Sequence, residues 1–299
     1  MDPLFDSRHV RRAFSRAAAG YDAAAALQAE VRTRLLESLA YLDDRQPSVV
    51  LDVGSGTGHA AAAMRKRWPK ARVVALDLAL PMLRQARRQA GWWKPFNRVC
   101  ADARALPLAE GSVDVIFSNL CLQWVEDLPA VFAGFRRVLR PGGLMLCSSF
   151  GPETLAELRE AFAQADASPH VSPFASIAQF GDALLSAGFR DPVVDRDLFN
   201  LTYPDLPALM RELRAMGYEC EILSTAGGDV PLVDDASDAP RELRSGRAMT
   251  AGGTLHYAPY GVPGLQQRFA AIASWVAEHN PADVAALSAL PYEQDTFGP

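Results

Sequence analysis

Short hydrophobic runs alternate with amphipathic stretches between residues 49 and 150. The runs 49–54 (VVLDVG), 71–78 (ARVVALDL), 96–102 (FNRVCAD), 112–120 (SVDVIFSNL) and 144–150 (LMLCSSF) read as strands bounded by glycine, proline or polar residues. Between them, 59–68 (HAAAAMRKRW), 81–90 (PMLRQARRQA) and 128–139 (LPAVFAGFRRVL) read as helices. Pro69 stops the first, Pro81 sits in the first turn of the second, and RPGG at 140–143 ends the third. This alternation predicts an α/β fold, a doubly wound and mostly parallel sheet covered on both faces. The ligand crevice of such a sheet lies at the carboxyl ends of its strands.

The flanks read differently. Residues 8–40 carry a helical pattern that Gly20 splits into two helices. Residues 152–188 are again mostly helical, around a loop with His170 and Pro173. Residues 193–203 (VVDRDLFNLTY) read as a sixth strand and 204–217 as a helix that Gly217 stops. From Tyr218 onward Gly, Asp, Ser and Pro dominate, as in loops and disordered segments, and only 264–280 has a regular amphipathic pattern. The expected organisation is an N-terminal helical lid segment (1–44), a main domain (45–217) with a helical lid insertion at 152–188 after the fifth strand, and a divergent tail (218–299).

Charge and cysteine content narrow the function classes. The net charge of -5 argues against nucleic acid as a partner. Cys100, Cys121, Cys147 and Cys220 have neither C-x-x-C nor zinc-finger spacing, which suits free thiols in a reducing cytoplasm. No signal-peptide pattern and no apolar run long enough for a membrane span is seen, so no membrane partner is expected. Arg8, Arg11, Arg12 and Arg16 crowd the N-terminus, and Arg84, Arg87 and Arg88 recur on a predicted helix. Such clusters read either as solvated faces or as docking sites for an acidic protein.

The candidate chemistry centres on V-L-D-V-G-S-G-T-G at 50–58, between a strand and a helix. Gly54, Ser55, Gly56 and Gly58 form a loop whose backbone can approach a ligand, and the following helix N-terminus offers free N–H groups. The spacing is G-x-G-x-G. Three residues after Gly56 stands His59, not the small residue of a dinucleotide fingerprint, and no G-K-[S/T] follows. The ligand is therefore not expected to be held by a pyrophosphate. S-adenosylmethionine, a nucleoside without phosphate, fits.

Asp77, ending the second strand, is placed to accept both ribose hydroxyls, the plain alternative being a cap for the next helix. Asp102, ending the third strand, suits the adenine amino group, with the Ala103 N–H on a ring nitrogen; an Asx-turn is the alternative. Asp52 either orders the loop or meets the cofactor's ammonium. Leu78 and Met82 flank adenine or ribose, Met82 being equally suited to the core. Asn119, after the fourth strand where the transferred methyl should point, and Gln123 are placed to orient the substrate or the methionine end. Trp124 reads as core or as a stacking group.

Taken together, LDVGSGTG, ALDL, CADARALPL, DVIFSNLCLQW and LRPGG resemble the successive motifs of the class I methyltransferases over residues 45–150. That resemblance implies a Rossmann-like seven-stranded sheet and S-adenosylmethionine as methyl donor. FSRAAAGYD (14–22), SNLCLQWVEDL (118–128), FGPETLAELR (150–159), PHVSPF (169–174) and LTYPDLPALMRELRAMG (201–217) further resemble the malonyl-acyl-carrier-protein O-methyltransferase family of biotin synthesis. It implies methylation of the free malonyl carboxylate, which masks its charge so that fatty acid synthesis can elongate the chain toward pimeloyl. The implied partner is acidic malonyl-acyl-carrier protein, or malonyl-CoA, with the N-terminal arginines as docking patch. By the same resemblance Tyr21 and Phe174 close over the active site; ordinary packing is the alternative. The family's closing strand has no clear counterpart, and 254–260 (TLHYAPY) is a poor substitute broken by Pro259.

A carboxylate is ionised at neutral pH, so attack on a sulfonium methyl needs no general base, and neither His9, His59 nor His170 is nominated as one. The malonyl carboxylate does need a recogniser; Arg136, Arg137 and Arg159 are candidates. The alternatives are the same fold acting on another small molecule, such as a quinone or a metabolite carboxylate, and a non-catalytic interaction module. A nucleic-acid methyltransferase is disfavoured because no N/D-P-P-Y/F tetrad follows the fourth strand.

Overall fold

The structure, a computed structural model, describes residues 6–39, 46–91, 95–165, 171–218, 221–224, 255–258 and 289–290. It divides into two compact units, residues 1–152 with 174–196 and residues 153–173 with 197–299.

The first unit is built on five parallel strands: β1 (Val49–Val53), β2 (Arg72–Asp77), β3 (Asn97–Cys100), β4 (Val113–Ser118) and β5 (Leu139–Cys147). Their spatial order is β3-β2-β1-β4-β5, so the winding reverses between β1 and β4. The crevice of a doubly wound sheet opens at the carboxyl edge of that pair. Period-two alternation divides the core between two faces. Leu51, Val53, Val74, Leu76 and Ile116 face one side, where α6 (Leu128–Val138) brings Val131, Phe132 and Phe135 and α8 (Ile177–Ser186) brings Ala183 and Leu184. Val50, Val73, Ala75, Val115 and Phe117 face the other, packed by Ala60, Ala61 and Met64 of α4 (His59–Arg67) and Leu83 and Ala86 of α5 (Leu80–Gln89). With both faces covered, the inner strands tolerate the near-continuous apolar runs seen in the sequence. The exposed β3, by contrast, carries Asn97, Arg98 and Cys100, a polar edge that discourages further pairing.

Before the sheet come α1 (Ser7–Ala17), α2 (Tyr21–Ala24) and α3 (Ala26–Glu37). The sequence predicts two helices here, but a second break at Ala25 (φ -90°, ψ 43°) makes three. Asp6 caps α1 by accepting the Arg8 N–H at 2.8 Å.

Three further expectations change. The fifth strand begins at Leu139, not after the RPGG stretch. Val113 pairs with Leu139 and Val115 with Leu144, so the extra residues, with Gly142 at φ 75°, form a bulge inside the strand. The sixth strand is reduced to β6 (Leu201–Thr202), and Val193 is 94% exposed. Finally, the sheet has five strands among the described residues, against the seven implied by resemblance.

The second unit contains α7 (Ala156–Ala165), β6, α9 (Leu206–Ala215), β7 (Glu221–Ser224), β8 (Leu255–Ala258) and β9 (Ala289–Leu290). Here β6 pairs antiparallel with β9, and β7 with β8. Thus 255–258 does form a strand, ending before Pro259, and its partner is β7. Asp205 caps α9 through the Ala208 N–H at 2.7 Å, and Tyr203 donates its hydroxyl to Glu212 at 2.7 Å. The amphipathic stretch 264–280, most of the tail and His170 lie outside the described residues.

Candidate active site

The glycine loop leaves β1 at the switch point with Gly54, Gly56 and Gly58 at φ 68°, 52° and 84°. At two of these positions the requirement for glycine has different causes. A Cβ at Gly54 would collide with the Sγ of Cys121 and come within 2.5 Å of its Cβ. A Cβ at Gly56 would meet nothing within 4 Å among the described residues, so the loop faces open space at its centre. The Ser55 N–H donates to the Leu76 carbonyl at 3.0 Å, tying the loop to β2.

Asp77 completes the loop. One of its oxygens accepts the Gly56 N–H and the other the Ala79 N–H, each at 2.8 Å. Burial pushes its carboxyl up to about 6, although both backbone bonds favour the ionised form. Asp52, 1% exposed, accepts the Ala61 N–H, and its Oδ2 has no partner among the described residues. Burial, reinforced by nearby Asp77, pushes Asp52 up to about 7. The Ser55 hydroxyl is also buried without a partner among the described residues. Two hidden carboxylates, one with an oxygen to spare, are suited to a cation and to hydroxyl donors.

The opposite wall follows β4. Ser118 donates to the Val53 carbonyl at 3.0 Å. Asn119 has both ends of its amide engaged: its Nδ2 donates to the Gln28 carbonyl of α3 at 3.1 Å, and its Oδ1 accepts the Ser148 hydroxyl at 3.0 Å. Leu120 then adopts φ 46°, a conformation uncommon for a branched side chain. Its N–H is held by Ser148, through both the carbonyl and the hydroxyl, at 3.1 Å. Gln123 donates its Nε2 to the Leu120 carbonyl at 2.7 Å, while its Oε1 is buried without a partner among the described residues. Trp124 receives Phe14 edge-on at 5.4 Å, and Phe14 in turn lies 6.3 Å from the Tyr21 ring. Burial and the charges of Asp77 and Asp22 raise the Tyr21 phenol above its ordinary value.

Other sequence candidates lie as follows. Asp102 forms the Asx-turn, accepting the Arg104 N–H at 2.9 Å, and also takes the Arg104 guanidinium at 2.6 Å. Burial alone would raise Asp102, but the Arg104 bonds outweigh it and hold the carboxyl below its usual range. Leu78 and Ala103 are half-buried. Met82, 1% exposed, packs with Ala18 and Ala79 beneath Phe14 and Tyr21. Phe174 is buried with its ring 5.5 Å from Phe150.

The arginines proposed for the substrate carboxylate fare differently. Arg137 donates to the Leu108 and Leu106 carbonyls at 2.7 and 2.9 Å, and Arg136 is exposed. Both stand at the end of α6 that feeds into β5, the edge opposite the loop. Arg159 belongs to the other unit, where it donates to the Thr154 carbonyl at 3.0 Å.

Two features escaped the sequence reading. Asp22 of α2 accepts the Thr57 hydroxyl at 2.5 Å and meets His59 Nε2 at 3.1 Å, fastening the N-terminal segment to the loop. Arg32 of α3, half-buried, lies within electrostatic reach of Asp22, Asp52 and Tyr21. Its guanidinium has no hydrogen bond or ion pair among the described residues, and burial lowers its pKa. The only sequence signal was its spacing: Arg32 lies one turn beyond Gln28, whose carbonyl Asn119 holds.

Comparison with known proteins agrees with this geometry. Residues 51–147 match the family described as "Methyltransferase domain". The malonyl-[acyl-carrier protein] O-methyltransferase of Xylella fastidiosa (strain M23) is 68% identical over 217 residues, which is 73% of this chain and 74% of that protein. The enzyme of the same name from Gallionella capsiferriformans (strain ES-2) is 45% identical over 220 residues, 72% of this chain and 76% of that protein. That of Methylovorus sp. (strain MP688) is 47% identical over 220 residues, 72% of this chain and 74% of that protein. Fold, loop and family match define a class I methyltransferase, with S-adenosylmethionine as methyl donor. Within that class, the chain belongs to the malonyl-[acyl-carrier protein] O-methyltransferase family.

Proposed function

We propose that this chain methylates the free carboxylate of a malonyl group carried as a thioester on acyl carrier protein. What supports this most is the 68% identity, over nearly three quarters of both chains, to an enzyme of that name. The product, a neutral methyl ester, would let fatty acid synthesis extend the malonyl unit toward the pimeloyl chain of biotin.

The residues present fit the cofactor. Backbone from Gly54 to Gly58 would hold the methionine portion, with open space at Gly56 to receive it. The spare oxygen of Asp52 would receive the ammonium, and Asp77 would accept the ribose hydroxyls on lone pairs its two backbone bonds leave available. Leu78 would flank the nucleoside while Met82 backs the site from the core, Asp102 and the Ala103 N–H would read the adenine edge, and Asn119 would hold the methionine end toward the substrate. When bound, S-adenosylmethionine supplies a methyl group on a positively charged sulfur.

The protein's part is alignment and exclusion of water. Arg32 would bind one oxygen of the malonyl carboxylate and leave the other free as the nucleophile. Tyr21 and Phe174 close over the reacting atoms. No proton moves, because the nucleophile is already an anion and the leaving thioether is neutral. The test is a methyl-transfer assay with malonyl-carrier protein, malonyl-CoA and free malonate. Methylation of the carrier-bound substrate supports the assignment; cofactor binding with turnover of none of the three removes it.

No helix among the described residues is long and apolar enough to cross a membrane. With free malonyl thioesters as substrate, the enzyme would act in the cytoplasm, with neither membrane nor nucleic acid as partner.

A further inference from the structure

The fold brings together two arginine clusters that lie about seventy residues apart in the sequence. Helix α1 packs on α5, with Phe14 and Ala17 of the first and its C-cap Ala18 covering Met82 of the second and its N-cap Ala79. On α1, Arg8, Arg11, Arg12 and Arg16 follow i, i+3, i+4, i+8 spacing, an exposed stripe on the side away from Ala17. On α5, Arg84, Arg87 and Arg88 follow i, i+3, i+4 spacing, on the side away from the buried Met82, Leu83 and Ala86. All seven arginines are exposed, and neither helix contains an acidic residue.

Same-sign neighbours one turn apart repel, so this arrangement costs the isolated helices some stability. It is also anomalous in a chain of net charge -5. Screening confines the field of exposed charges to roughly 8 Å at physiological salt, so the two clusters act together only because the helices touch. Both helices also reach the site: Phe14 of α1 touches Trp124 and Tyr21, and α5 starts three residues after Asp77.

We propose that the joint arginine face of α1 and α5 is the docking surface for the acidic body of the carrier protein, whose flexible arm then delivers the malonyl group past Phe14. The proposal rests on the malonyl-carrier reading above and assigns its partner a surface.

Two charge-reversal variants test it, one on α1 (R8E, R11E and R12E together) and one on α5 (R84E, R87E and R88E together). Steady-state kinetics are measured with malonyl-carrier protein and with malonyl-pantetheine, which has the same reactive group but no phosphate and no protein. Each variant should lose about tenfold or more in kcat/KM toward the carrier-bound substrate, mainly through KM, together with most of its salt dependence. Turnover of malonyl-pantetheine and affinity for S-adenosylhomocysteine should stay at the parent level, which also shows that each variant is folded. Parent-like kcat/KM with the carrier in either variant would overturn the joint surface, as would an equal loss with malonyl-pantetheine. So would arginine-dependent retention on phosphatidylglycerol vesicles that excess carrier protein cannot reverse. If the parent enzyme turns over no malonyl-carrier protein at all, the underlying reading falls with it.

Discussion

Asp77 accepts the Gly56 N–H at 2.8 Å, so the carboxylate that ends β2 holds in place the loop that ends β1. One side chain therefore serves the apo fold and, in the proposed complex, the ribose. Asp77→Ala should weaken S-adenosylhomocysteine binding by about 10- to 100-fold, the range expected on losing hydrogen bonds to a charged group. It should also lower the melting temperature of the cofactor-free protein. Calorimetric titration and thermal melts check this; unchanged affinity would remove Asp77 from the site.

Asp52 and Asp77 make the protein's stability and its binding depend on pH. Their carboxyls stand at about 7 and about 6 in the fold, against about 4 in an unfolded chain. The folded state thus holds protons that the unfolded state has released, and stability of the cofactor-free protein should fall as pH rises from about 4 through 7. Asp52→Asn should relieve this and melt higher than the parent at about pH 8. The cofactor's ammonium favours ionised Asp52, so binding near neutrality should release protons and weaken as pH falls from about 8 to about 6. Titrations at neutral pH in two buffers of different ionisation enthalpy would reveal the release; identical enthalpies would contradict it.

The two loop glycines should fail differently when replaced by alanine. At Gly54 the new methyl meets Cys121 and the backbone is at φ 68°, so the fold itself must give way, at a cost of about 3 kcal/mol or more. At Gly56 only the backbone conformation is penalised, about 1–2 kcal/mol, while the methyl enters the open space proposed for the ligand. Denaturant unfolding should show the larger loss for Gly54→Ala. Titration should show a folded Gly56→Ala protein with strongly reduced cofactor affinity.

Arg32→Gln keeps a hydrogen-bond donor but removes the charge. It should leave S-adenosylhomocysteine affinity close to the parent value and cut kcat/KM for the malonyl substrate by about 10- to 100-fold. Arg32→Lys should recover part of the loss. A parent-like efficiency in Arg32→Gln would require another group to recognise the carboxylate.

Much of this was legible in the chain because it depends on local rules. The strands β1, β2 and β4 announce themselves as apolar runs, and G-x-G-x-G between β1 and α4 can hardly be placed elsewhere. The errors have a common physical origin in tertiary context. RPGG looks like a helix stop followed by a turn, yet pairing with β4 absorbs it as a bulge. Residues 193–203 have strand-forming composition, but among the described residues only Leu201 and Thr202 find a partner strand, in β9. Asn119 was correctly placed at the end of β4, whereas its engagement with Gln28 and Ser148 depends on chain segments 91 and 29 residues away. For the same reason the Asp22–Thr57 bond, which joins the N-terminal helices to the loop, leaves no trace in any local pattern, and Arg32 leaves only its one-turn spacing from Gln28.

The most direct single measurement is a crystal structure of the protein with S-adenosylhomocysteine. The expected density has both sugar hydroxyls within about 3 Å of the Asp77 carboxylate and the amino group against Asp52, with the thioether sulfur facing Tyr21 and Asn119. A nucleoside bound elsewhere, or one whose sugar leaves Asp77 in contact only with the Gly56 and Ala79 amides, would contradict the proposed site.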